Sequence, residues 1–395
     1  MVIVAAITAM LLLRPNIIKA QYWRAVVTPL ASIIGSGFLV AGPILAFAAG
    51  TYAWIAMLGL CSLAYLFGAA IRHNISYIEP LHGNALPKYF RLIEHVSSLA
   101  LAFAYFVSVS YYINLFAAFA LRADDIINPN LTQIVASLVI GGLGLLGAVR
   151  GFRAFENIEA VAVALKLAII IGLLAALSLA AFYPVSGPLI SDWSSKPVDV
   201  PILLGLVILV QGFETSRYLG HQYDGPTRVK TMKMAQLLST AIYVAFIALM
   251  MPLFTGNMPT EGGETEIITL LAPLGATVGP LIIFAALASQ LSAALADMSG
   301  AGGLLNDASD RHIRLPIAYI ITAAFALLFT WSASIMEIIL YASKAFVFYY
   351  GLQSLMAFLS CLKSEQTNKK IMVSLFGLAV AMSVMALMYG EAVSP

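Results

Sequence analysis

Five ionisable residues stand inside long apolar stretches of this chain: Lys166, Glu214, Asp297, Glu337 and Lys344. A charge among hydrocarbon is costly, so such residues are by default candidates for handling ions. Removing a charged group from water favours its neutral form, so Lys166 and Glu214 could each release and regain a proton. The structural alternatives are a cation satisfying freed backbone carbonyls for Lys166, and an ion pair with Arg217, one helical turn on, for Glu214. Asp297 follows Ser289 and Ser292 in "SQLSAALADMSG", and Ser292 with Asp297 would offer oxygen ligands to a cation. Glu337 and Lys344 share a helix face two turns apart, with Tyr341 between them. They read as an external gate or as a pair neutralised through water.

Two apolar stretches are interrupted by glycine. "ASIIGSGFLVAGPI" (31–44) carries Gly35, Ser36 and Gly37, and "LVQGFETSRYLG" (209–220) carries Gly212 just before Glu214. Non-helical backbone at membrane depth persists only where it is buried in protein or lines a cavity. The N–H end of a broken helix favours an anion and the carbonyl end a cation. Two breaks together predict a midplane pocket for a zwitterion. Backbone N–H groups around Ser36, Gly37 and Phe38 would hold its carboxylate and carbonyls near Gln211 and Gly212 its ammonium, with Phe213 shaping the side-chain pocket and Ser32 and Gly35 also at the substrate site. The plainer reading is that glycine and serine allow close helix packing. In "YFVSVSYYINLF" (105–116), Tyr105, Tyr111, Tyr112 and Asn114 offer phenol and amide groups to the same pocket, or serve packing alone.

The elements that must position these residues are membrane helices. The 395 residues are 61% hydrophobic and 10% charged, with a mean hydropathy of +0.93. A spanning helix needs roughly 20 apolar residues, and eleven windows qualify, near 25–49, 52–71, 95–121, 132–149, 157–182, 201–220, 234–254, 274–303, 315–332, 335–361 and 371–390. The fold class is therefore all-α and integral to the membrane, with about eleven spans. Spans 1 and 6 are expected to be discontinuous. Residues 1–13 are apolar but short, and residues 1–21 are expected to form an interfacial segment at the cytoplasmic face.

Basic residues collect in the connections 14–24, 72–91, 150–153, 217–233, 306–314 and 363–370, whereas the alternate connections hold Arg122 and Lys196. Acidic residues such as Asp124, Asp192, Glu261 and Glu264 favour the basic-poor side. Lys and Arg mark cytoplasmic loops, so the start of span 1 is expected inside and the carboxyl terminus outside, in a bacterial inner (plasma) membrane. Five spans separate the two glycine-interrupted segments. An odd block inserts upside down, which predicts a 5+5 inverted repeat of residues 22–182 (spans 1–5) and 201–361 (spans 6–10), followed by span 11 at 371–390. Interrupted helices at matching positions of two halves mark a transporter's binding site.

Other classes fare poorly. His73, His82, His95, His221 and His312 lie near cytoplasmic ends, with no paired-His zinc motif, phosphate loop or nucleophile elbow, so an enzyme is excluded. No filter element points to a channel. Cys61 and Cys361 fall within helices and imply no disulfide framework. No nucleic acid, metal or cofactor is called for.

The chain resembles the amino acid–polyamine–organocation family of secondary transporters. "IIGSGFLVAGP" looks like that family's first-helix signature. "GAVRGFRAFENIEAVAVALKLAIII" (147–171) is similar to its junction of helices 4 and 5, and "GFETSRYLGHQYDGPTRVKTMKMA" (212–235) to its helix 6 and the turn into helix 7. The resemblance covers roughly residues 22–361. It implies the inverted-repeat fold shared with sodium-coupled leucine transporters, alternating access, and a small amino acid or related amine as substrate. It places Lys166 where proton-coupled members substitute for a sodium ion, and Glu214 at a gate. It departs in having no twelfth helix, in "DASDRH" after helix 8, and in Ile208 or Val210 where some members carry a gating aromatic. The expectation is proton-coupled symport or exchange, as a monomer or homodimer. Sodium coupling and a non-transporting solute sensor are the alternatives.

Overall fold

The computed structural model describes residues 1–18, 20–81, 86–151, 156–182, 197–253, 262–363 and 368–393. His82, Arg153, Asp192, Lys196 and Glu261 lie outside them, as do the side chains of Ser36 and His221. Every regular element among the described residues is helical: α1 (Val2–Leu12), α2 (Pro15–Ile18), α3 (Gln21–Ala49), α4 (Ala53–Tyr77), α5 (Lys88–Arg122), α6 (Pro129–Arg150), α7 (Glu156–Phe182), α8 (Val200–Leu204), α9 (Thr215–Tyr218), α10 (Gly225–Met250), α11 (Ile267–Leu271), α12 (Val278–Ala308), α13 (Leu315–Ser332), α14 (Ile335–Lys363) and α15 (Lys369–Tyr389).

Nine stretches among the described residues are long and apolar enough to cross a membrane, fewer than the eleven windows expected. Two causes account for the difference. The stretch Gly37–Leu81 runs through α3 and α4 as one, although the turn at Gly50, with φ +52°, folds it into two crossings. The sixth window contains only short pieces, α8, a 3₁₀ turn Val207–Val210 and α9, so no single helix there is long enough.

Helix starts follow local chemistry. Asn128, Asp199 and Asp224 cap α6, α8 and α10 through their side chains, each followed within two residues by proline. Such residues satisfy N–H groups that the first turn leaves orphaned. The outward surface is apolar: Ile371 and Met388 are 70% and 71% exposed, which suits contact with lipid rather than water.

The helices form two packed groups. One joins α5, α12, α13 and α6, and the other joins α3, α4 and α10, while α14 touches both α5 and α4. The broken sixth segment packs against α3, α14 and α4. The short α1 packs along α7, where Gly172 lets Ala5 approach; a Cβ on that glycine would lie 2.9 Å from the Ala5 Cβ. The terminal segment therefore packs along α7.

Candidate functional site

The sixth segment breaks where its composition predicts. Gln211 is extended at φ −75°, ψ 171°, and Gly212 has φ +116°, a conformation that disfavours any side chain. Its place is also crowded, since a Cβ there would meet the Ser32 Oγ at 2.5 Å and the Ile33 N at 2.7 Å. Side chains from other helices take up the freed backbone groups. Ser343 Oγ accepts from the Ile208 N–H (3.0 Å), and the Tyr243 hydroxyl donates to the Leu209 carbonyl (2.7 Å) and to the Ile33 carbonyl of α3 (3.0 Å). Glu214 Oε2 accepts from the Gly212 N–H (2.9 Å) and from the Tyr350 hydroxyl (2.7 Å).

The first segment does not break. α3 is continuous from Gln21 to Ala49 and passes through Gly35, Ser36 and Gly37 as helix. The expected cradle of open N–H groups at Ser36, Gly37 and Phe38 is therefore not formed, and Phe38 packs on Phe246, ring centroids 4.2 Å apart. Gly37 serves close approach instead, because a Cβ there would meet the Leu209 Cα at 2.6 Å. Each glycine weakens a helix by only ~1 kcal/mol, less than an orphaned backbone group costs without water.

The missing side chains leave α3 carbonyls open to second donors. Lys166 Nζ donates to the Ala31 carbonyl (2.8 Å) and Ser289 Oγ to the Gly35 carbonyl (3.0 Å). A cavity of about 20 Å³ lies beside them, lined by Gly35, Phe38, Lys166, Ser289 and Gln290. The Gln290 Oε1 is buried without a hydrogen-bond partner among the described residues. Lys166 thus sits where α3, α7 and α12 meet.

Asp297 and Ser292 are not brought to that point. Asp297 accepts from Ser108 of α5 and lies in electrostatic reach of Glu214 and Tyr105. Ser289, one turn from Ser292, is the serine that faces α3. The pairing of Glu214 with Arg217 is also absent. Arg217 instead meets both oxygens of Glu94 on α5 at 2.7 Å and the amide oxygen of Gln353. Arg228 pairs with Glu79 and donates to the Arg217 carbonyl (2.8 Å), while Asn74 donates to Gln353 (2.9 Å). This network ties α4, α5, α10, α14 and the sixth segment together at the basic-rich end.

The remaining expected residues divide between the break and elsewhere. Gln211 hydrogen-bonds the Tyr112 hydroxyl (2.6 Å), and its Oε1 is buried without a hydrogen-bond partner among the described residues. Phe213 stacks on Tyr350 at 4.9 Å, Tyr105 packs edge-on to Phe346, and Tyr111 rests against Tyr112. Asn114 belongs to another cluster, donating to the Ser110 carbonyl and to Thr330 at 2.8 Å each. Glu337 is engaged at the start of α14, where its Oε2 accepts from the N–H and hydroxyl of Ser334 (2.8 Å each) and Ser334 accepts in return (3.3 Å). That reciprocal cap replaces the expected pairing with Lys344, which makes no ion pair among the described residues. Sequence reasoning missed Tyr243, Ser343, Tyr350, Ser108 and Glu94, whose roles come from partners far along the chain.

Two comparisons bear on this arrangement. A family model described as "APC superfamily transporter" matches residues 15–390. An uncharacterized protein from Aquifex aeolicus (strain VF5) is 38% identical over 390 residues, covering 96% of this chain and 94% of the relative.

Proposed function

This chain belongs to the APC superfamily of transporters, and on that premise we propose that it is a proton-coupled secondary transporter, symporter or exchanger, of a small amino acid or related amine. The observation that carries the reading is the Lys166 ammonium hydrogen-bonded to the Ala31 carbonyl (2.8 Å), one helix away from a broken segment that holds Glu214. Charge inside the bundle is placed to respond to a proton and to a solute together.

The substrate ammonium is received at the sixth-segment break, where the Gln211 and Gly212 acceptors meet Ser32 of α3. Because α3 offers carbonyls and hydroxyls there instead of free N–H groups, the amine end is the recognised end. Lys166 ties α3 to α7 while charged and holds the Ala31 carbonyl more weakly once it gives up its proton, and the adjoining cavity of about 20 Å³ has room for the water that carries that proton. Glu214, held by Tyr350 of α14, couples the break to a neighbouring helix. α3, α4, the sixth segment and α10 then rock against α5, α6, α12 and α13, with the two halves related as an inverted repeat. The basic-rich end faces the cytoplasm, so the Arg217–Glu94 and Arg228–Glu79 pairs form the inner closure.

The test is uptake of radiolabelled amino acids and amines into liposomes holding the purified protein, with an inward proton gradient in sodium-free buffer. Gradient-driven uptake that disappears in Lys166→Ala is expected. Uptake that requires sodium, or that persists unchanged in Lys166→Ala, would overturn proton coupling through this residue. Tight solute binding with no flux under any gradient would mark a sensor.

A further inference from the structure

A second cavity lies away from the helix break. It lies at the basic-poor end, has a volume of about 220 Å³, and is walled by the ends of α5 and α6, the turn 262–265, the start of α14 and Val393. Its size falls below the roughly 300–1,000 Å³ of pockets that take drug-sized ligands, so its occupant is small.

Two of the side-chain amides around it leave oxygens free to accept. Asn114 directs its Nδ2 to the Ser110 carbonyl (2.8 Å), and Gln133 directs its Nε2 to the Thr330 carbonyl (3.0 Å). A carbonyl can only accept, so both amides are fixed with their own oxygens left over. Neither oxygen has a hydrogen-bond partner among the described residues. Thr132 spends its hydroxyl proton on the Asn128 carbonyl (3.1 Å). Glu264 is the one charged residue among those lining the cavity, and it has no ion pair among the described residues.

The nearby cation is engaged elsewhere. Arg122 on α5 bonds Asp125 (3.3 Å) and Thr269 (3.0 Å). The other charged groups near that end of the surrounding elements are Asp124, Glu266, Glu337 and Glu391, with Lys344 two turns further along α14. One carboxylate and two open amide oxygens favour a cation over an anion.

We propose that this outer cavity is a binding site for a small organic cation, an alkylammonium of a few carbons, with Glu264 as its counter-charge and Asn114 and Gln133 as acceptors for its N–H groups. The site is separate from the helix break and stands whether or not the chain couples flux to protons. Burial holds the Glu264 carboxyl above the ordinary carboxylate range, so the cation binds more tightly as pH rises through the carboxyl's titration.

The experiment is titration calorimetry on the full-length protein in nanodiscs, with butylammonium as probe and butyrate and butanol as controls. Wild type binds butylammonium and neither control, Glu264→Gln weakens binding by about tenfold or more, and Glu264→Asp retains most of it. Ala118→Leu, on the cavity wall, also loses binding. Glu214→Gln, at the break, leaves this binding intact while it changes transport, which separates failure of this site from failure of the transport reading. Equal binding to Glu264→Gln, binding of butyrate as strong as that of butylammonium, loss in Glu214→Gln with retention in Glu264→Gln, or no binding of butylammonium to wild type at millimolar concentration would each overturn the proposal. If Glu264→Gln does not fold, Ala118→Leu decides, since undiminished binding there excludes the cavity.

Discussion

Replacing Tyr243 by Phe removes one oxygen atom and tests how the broken segment is held. The hydroxyl lies 2.7 Å from the Leu209 carbonyl and 3.0 Å from the Ile33 carbonyl, and Tyr243 is fully buried. The two acceptors do not lose equally. Ile33 sits within α3, which is continuous from Gln21 to Ala49. Leu209 ends a 3₁₀ turn that is followed by extended Gln211 and by Gly212 at φ +116°, so no backbone N–H comes round to it. The variant therefore strands one carbonyl in a water-free core, a cost of about 1–3 kcal/mol, or roughly five- to 150-fold in the unfolding equilibrium. Reversible unfolding in mixed micelles by SDS titration measures it directly, with Tyr22→Phe as control because the exposed Tyr22 hydroxyl meets only the Met234 sulfur, at 3.9 Å. A second readout is uptake rate, expected to fall because α3 and the sixth segment lose the tether that makes them move together. A loss of stability within about 0.5 kcal/mol of the control would refute the view that Tyr243 supplies the partner the break removes.

Other perturbations probe the remaining links. Glu94→Gln removes the charge facing buried Arg217, weakening hydrogen bonds worth about 1.5–3 kcal/mol; maleimide labelling of Cys361, buried beside His73 at the basic-rich end, should quicken, and an unchanged rate would mean the pair does not hold that end closed. Gly212→Ala places a methyl group 2.6 Å from the Ser32 carbonyl carbon at a left-handed backbone angle, so a loss of about 1–3 kcal/mol should appear in the same titration, and wild-type stability would show the break to be relaxed. Burial raises the Glu264 carboxyl, so the folded state binds its proton more tightly than the unfolded chain does. Its effect on stability therefore becomes less favourable as pH rises from the ordinary carboxylate range through the raised folded value. The thermal midpoint of Glu264→Gln relative to wild type should accordingly rise across that window, and a flat difference would contradict the assigned burial.

The residues themselves determined the membrane helices, because hydropathy over some twenty positions is a local property that no partner can reverse. The break at Gly212 was equally legible, since a glycine before an ionisable group in an apolar run has few other uses. The cap at Ser334 and Glu337 was also local, an S-x-x-E spacing, and reading Glu337 as a gate partner of Lys344 passed over it. What the tertiary structure decided is where each freed or charged group finds its complement. Gly35 and Gly37 look like a break as much as Gly212 does, and only the presence of Leu209 against Gly37, with Lys166 and Ser289 on the flanking carbonyls, shows α3 staying helical. Arg217 stands one turn from Glu214 yet pairs with Glu94 on α5. Asn114 lies two residues from Tyr112 but points its amide at Thr330, away from the break. Hydrophobic length and backbone freedom are carried by neighbouring residues in the chain, whereas charge pairing and hydrogen-bond satisfaction depend on which distant helix arrives at the same depth.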